Sequence, residues 1–75
     1  MTQSYYVKAS WDSEASVWIS ETNIPGLVIE AATVAEFEEL MAELAPEMLA
    51  ANANVHNVRV PIEFCVANRR EYAVL

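Results

Sequence analysis

At Thr33 the spacing of the apolar residues changes. Before it, Tyr5, Val7, Ala9 and Trp11 alternate with Tyr6, Lys8, Ser10 and Asp12, and a second alternation runs from Ala15 to Glu21. A period of two is that of a strand with one face buried. After it, Phe37, Leu40, Met41, Leu44 and Met48 fall at i, i+3, i+4, i+7 and i+11, the apolar stripe of one helix. Strands that hand over to a single amphipathic helix must bury their apolar face beneath it, which confines the chain to a small α+β layer fold.

The connections between these runs carry their own signals. Asp12-Ser13-Glu14 is a polar turn, so the first two runs read as a hairpin, with Val17 and Ile19 on one face of the second strand and Ser16, Trp18 and Ser20 on the other. Trp18 then lies on the nominally polar face, packed across the strands on Lys8 or Tyr6, or kept as an anchor for another protein. The chain's one glycine, Gly26, follows Pro25, which matches a type II turn whose third position needs a positive φ. Leu27, Val28, Ile29 and Glu30 read as a third short strand. Thr33 and Glu36 form a capping box that starts the helix, with Glu36 at the positive end of the helix dipole. Pro46 removes one helical hydrogen bond and predicts a kink near Ala45, or a second short helix starting at Pro46. The polar segment "NANVHN" ends the helix. Val58, Val60, Ile62, Phe64 and Val66 alternate with their neighbours as a fourth strand, which Pro61 assigns to a sheet edge. The order is β-β-β-α-β, and a crossover helix returning to a strand parallel to the first predicts a mixed sheet ordered 3-2-1-4 with the helix on one face.

A chain of 75 residues is one domain, residues 1–75, with 68–75 a short tail. With 55% hydrophobic residues its core is thin for its apolar content, so part of its surface is expected to be covered by another copy as a homodimer. The unpaired edge of the fourth strand is a place for that contact. No apolar run reaches the length of a membrane span and the start "MTQSYYVK" is not a signal peptide, which reads as cytoplasmic. Cys65 is single, has no disulfide partner and reads as a small buried hydrophobe. One His and one Cys exclude a structural zinc site of the usual kind, and no cofactor is implied. Eleven acidic residues against four basic ones leave a formal charge of −7, which argues against binding a phosphate backbone and for a basic protein partner. Arg59, Arg69 and Arg70 make the C-terminal stretch the only cationic part, and Arg69 and Arg70 are assigned to pairing with carboxylates of the same or a neighbouring chain.

The run "YYVKASWDSEASVWISETNIPGLVIEAATVAEFEELMAELAPEMLAANA" resembles the HicB-like antitoxin superfamily, and within it the stand-alone, single-domain branch called domain of unknown function 1902. The shared features are the first strand, the Asp-x-Glu turn, an aromatic in the second strand, Pro-Gly, a third strand, then Thr-x-x-Glu and the helix. The resemblance implies a partial ribonuclease-H-like fold and an antitoxin that binds a small basic RNA-cleaving toxin without cutting RNA itself. It also implies partner contact at Asp12, Glu14, Trp18 and Glu30. Many HicB antitoxins add a C-terminal DNA-binding domain, for which the tail "NRREYAVL" is too short.

Three other chemistries are weaker. Asp12, Glu14 and Glu30 could be drawn as a Mg²⁺-dependent nuclease site, but carboxylates at turns and strand ends are usually solvated. His56 sits in a polar loop with no placed nucleophile. Tyr5, Tyr6, Trp11 and Trp18 could stack on single-stranded RNA, yet the chain lacks the cations such binding needs. The reading is therefore a non-enzymatic protein-binding module, with a stand-alone homodimeric adaptor or ligand-sensing domain as the alternative.

Overall fold

The computed structural model describes residues 4–68 and 72–75. Its elements are β1 (Tyr5–Asp12), β2 (Val17–Thr22), β3 (Glu30–Ala31), α1 (Val34–Asn52) and β4 (Ile62–Ala67). They build a four-stranded sheet in the order β3-β2-β1-β4. β2 pairs antiparallel with β1 and with β3, and β4 pairs parallel with β1 from Tyr5↔Ile62 to Ser10↔Ala67. The α+β class and the 3-2-1-4 order are those expected from the periodicity.

The core lies between α1 and one sheet face. Tyr5, Val7 and Ala9 of β1, Ala31 of β3, and Phe37, Ala45 and Leu49 of α1 are buried with Ile24, Leu27 and Ile29 of the β2–β3 connection. Phe37 stacks on Phe64 of β4 with ring centroids 5.9 Å apart. The helix stripe is rotated from the expected one: Ala45 and Leu49 join Phe37 at its centre, while Leu40, Met41, Leu44 and Met48 are half-buried around it. α1 is one helix that runs through Pro46, so no second helix begins there.

Its start follows the capping signal. Thr33 adopts extended backbone and its Oγ1 accepts from Glu36 N–H at 3.1 Å, while Glu36 Oε2 reaches back to Ala32 N–H at 3.3 Å. Thr33→Ala is expected to cost about 1 kcal/mol, seen as a lower urea midpoint with an unchanged slope. The helix ends where Asn54 takes a positive φ of 55° and Val55 N–H folds back onto Leu49 C=O at 3.1 Å.

β2 is turned over relative to the sequence reading. Residues opposite one another in an antiparallel pair share a face. Val7↔Thr22, Ala9↔Ser20 and Trp11↔Trp18 therefore put Trp18, Ser20 and Thr22 toward the helix, and Val17, Ile19 and Glu21 away from it. The cause is the β2–β3 connection, which covers this part of the inner face and brings backbone donors that need partners. Ile29 N–H donates to Ser20 Oγ at 2.9 Å, and Ile24 N–H to Thr22 Oγ1 at 3.0 Å. Thr22 Oγ1 in turn donates to Tyr6 C=O at 2.5 Å. Two hydroxyls that look solvent-facing in the sequence thus serve the loop. Ser20 also explains why the third strand is short. Its side chain takes the Ile29 N–H, leaving Leu27 and Ile29 as buried loop residues and β3 as Glu30–Ala31 alone.

Two further corrections concern β4. It begins at Ile62 and not at Val58, because Asn54 and Asn57 both take positive φ and hold residues 53–60 in a loop ahead of Pro61. Its edge position is as expected. Cys65 is exposed and not buried: its alternation places it on the face away from the helix, which nothing in the described chain covers.

Candidate functional site

The four residues singled out for partner contact do not gather into one patch. Asp12 ends β1, and its Oδ1 accepts from Glu14 N–H at 3.0 Å and Ala15 N–H at 3.3 Å, closing the β1–β2 turn. Glu14 is exposed in that turn. Trp18 is half-buried on the helix side, and its partner is Trp11, with ring centroids 5.3 Å apart and planes tilted by 60°. Neither Lys8 nor Tyr6 faces it. Glu30 is exposed on β3 opposite Ile19, on the face away from the helix. Glu14 and Glu30 are exposed, whereas Asp12 is bonded through Oδ1 in the turn and Trp18 is half-buried against Trp11.

Three other surfaces emerge from the fold. The sheet face away from the helix carries Tyr6, Lys8 and Ser10 of β1, Val17, Ile19 and Glu21 of β2, and Glu63, Cys65 and Ala67 of β4. At its centre Glu21 Oε2 lies 3.3 Å from Lys8 Nζ and accepts from Ser10 Oγ at 3.3 Å, with exposed Tyr6 and Ile19 nearby. The second surface is the outward face of α1, where exposed Glu36, Glu39, Glu43 and Glu47 form a row, with exposed Glu38 at the helix flank. Lys8–Glu21 is the one ion pair among the described residues, so none of these glutamates has a cationic partner there. The expected pairing of Arg69 and Arg70 lies outside the described residues.

The third surface is a groove of about 630 Å³ between the second half of α1 and the segment leading into β4. Pro46, Leu49, Val55, Val58, Val60 and Ile62 supply its apolar walls, with His56 and Arg59 among its polar lining. The sequence reading missed it by assigning Val58 and Val60 to a strand. The available signal was the run of valines at 55, 58 and 60, whose spacing fits neither a strand nor a helix throughout.

Among the described residues no three His, Cys, Asp or Glu side chains come together as a metal-holding group. Asp12, Glu14 and Glu30 are accordingly separate, one in a turn bond and two in solvent. His56 lies with Nε2 3.1 Å from Asn54 Oδ1 in an exposed loop. No described helix is long and apolar enough to cross a membrane.

A family model described as a domain of unknown function, DUF1902, matches residues 4–74. The chain belongs to the DUF1902 family. The match spans the whole sheet, the helix and residues beyond β4, so the DUF1902 unit is the entire architecture described above. A similar solved structure is that of a hypothetical protein from the extremely thermophilic bacterium Thermus thermophilus. It shares 32% identity, superimposes with a TM-score of 0.76, and the alignment covers 93% of this chain and all of the other. A search of curated proteins returned no match. As a DUF1902 domain, the chain shares its fold with a thermophile protein of similar extent.

Proposed function

We propose that this DUF1902 domain is a non-enzymatic protein-binding module that neutralises a small basic RNA-cleaving toxin, in the manner of the HicB-type antitoxins it resembles. The observation that carries this reading is the row of exposed helix glutamates Glu36, Glu39, Glu43 and Glu47, flanked by Glu38, without a cationic partner among the described residues. From Glu36 to Glu47 the row runs roughly 17 Å along the helix axis. Such a field steers a basic protein toward the surface and raises its association rate. Exposed Glu14 in the hairpin turn and exposed Glu30, on the sheet face away from the helix, add carboxylates beyond this row, and both are proposed contacts.

The test first looks for a small basic protein encoded beside this gene, whose absence would count against the proposal. Purified together, the two proteins form a stable complex and RNA cleavage by the basic protein stops. Replacing Glu38, Glu39 and Glu43 with Gln slows association about tenfold at low salt, with the difference shrinking as salt screens the charges. A basic neighbour that neither binds nor loses its RNA cleavage overturns the proposal.

A further inference from the structure

Residues 72–75 form an arm whose apolar side chains have found no cover. Tyr72 is 78% exposed, Val74 94%, and Leu75 fully so. On the same chain is a groove that is apolar and open, with Val58 on its wall 67% exposed. The chain's own arm is badly placed to fill it. The groove opens beside Ile62 at the start of β4, whereas the arm leaves from the end of β4 at Ala67. From Ile62 to Ala67 β4 rises about 17 Å. The five residue steps from Ala67 to Tyr72 span at most the same roughly 17 Å, so the length used to reverse direction leaves Tyr72 short of the groove, and Val74 and Leu75 stand exposed away from it.

The outer edge of β4 resolves this mismatch. It is unpaired among the described residues, and its sequence Ile-Glu-Phe-Cys-Val-Ala contains neither lysine nor proline and only one charge, so past Pro61, which stands ahead of the strand, it lacks the devices that usually keep an edge strand single. A two-fold axis perpendicular to the sheet pairs this edge antiparallel with the same edge of a second copy. Opposed residues must then come from the same face, which allows registers centred on Phe64 or on Cys65. In both, Glu63 faces a neutral residue, Cys65 or Ala67 of the other copy. A register centred on Glu63 sets two like charges opposite each other. Antiparallel pairing also puts the end of one β4 beside the start of the other, so each arm emerges at the other copy's groove. We propose that the occupant of the groove is the Tyr72–Leu75 arm of a second copy, exchanged in a homodimer built on the β4 edges. The dimer has one eight-stranded sheet with both helices on the same face, and leaves the helix glutamates free.

The full chain on its own tests this, with no toxin partner present, so the outcome is separate from that of the antitoxin reading. Sedimentation should give twice the chain mass of 8.4 kDa. Cys65 is a native reporter: its Cβ lies about 5 Å from that of its counterpart in one register and about 7–8 Å in the other. A short bismaleimide should therefore link the two copies, and Cys65→Ser should abolish the link. Val58→Lys in the groove and Val74→Asp in the arm, both at exposed positions, should each weaken dimerisation at least tenfold without changing the circular dichroism. Mixing the two variants should restore dimer, since the mixed pair keeps one unaltered arm–groove contact and sets Lys against Asp in the other. A monomer at all concentrations, a dimer indifferent to both substitutions, or variants that mixing does not rescue would each overturn the proposal.

Discussion

Phe37→Ala should remove about 3–5 kcal/mol of folding free energy, the usual cost of emptying a fully buried aromatic site. Phe37 has no exposed surface and stacks on Phe64, so the deletion leaves a cavity between the first half of the helix and the β4 edge. A domain of this length has roughly 4–11 kcal/mol in total, so the variant keeps only a fraction of its stability or is largely unfolded. Urea titration read by circular dichroism measures the loss. Phe64→Ala, at a half-buried position, should cost less. A loss below about 1.5 kcal/mol for Phe37→Ala would show that helix and sheet close over the gap, contrary to a core centred on that ring.

Gly26→Ala is the second large effect, and two causes can be separated. Gly26 has φ +81° in the turn closed by Leu27 N–H donating to Ile24 C=O at 3.2 Å. An L-residue there costs roughly 1–2 kcal/mol from backbone strain alone. A Cβ would in addition stand 2.5 Å from Nδ2 of Asn52, the atom that ties the helix end to Pro25 C=O at 2.9 Å. The full cost is about 2–3 kcal/mol once that bond is displaced. In an Asn52→Ala background the same substitution should lose only the strain. Equal costs in both backgrounds would show that the two residues do not act on each other.

The fold is legible in the sequence wherever a local pattern has only one structural solution. Alternation in β1, Pro25-Gly26 and the Thr33–Glu36 box each name a local conformation, and together with the crossover rule they lead to the observed strand order. Legibility fails where a side chain serves a distant backbone. Ser20 and Thr22 look like a solvated face because their partners, Ile29 N–H and Ile24 N–H, are brought to them only by the folded loop. For the same reason the pattern alone puts Trp18 on the wrong face and makes the third strand too long. The valines at 58 and 60 look like strand because their alternation is real, but β1 begins at Tyr5, whose partner on β4 is Ile62, and the ladder extends no further back. Among the candidate contacts, the carboxylates at turns and edges could be read from type and position. The groove could not, since it exists only where the helix end and the loop before β4 meet.

The central place of β1 in the sheet has a consequence during synthesis. The hairpin partner of this strand lies close by in the chain, but its other partner begins at Ile62, almost a whole domain length away. At ordinary elongation rates of about 5–20 residues per second, several seconds separate the emergence of the two. Throughout that interval a newly made hairpin offers the bare margin of β1, with its two tyrosines and one tryptophan, to any neighbouring nascent chain, so crowding on polysomes is where this protein is most exposed to misassembly.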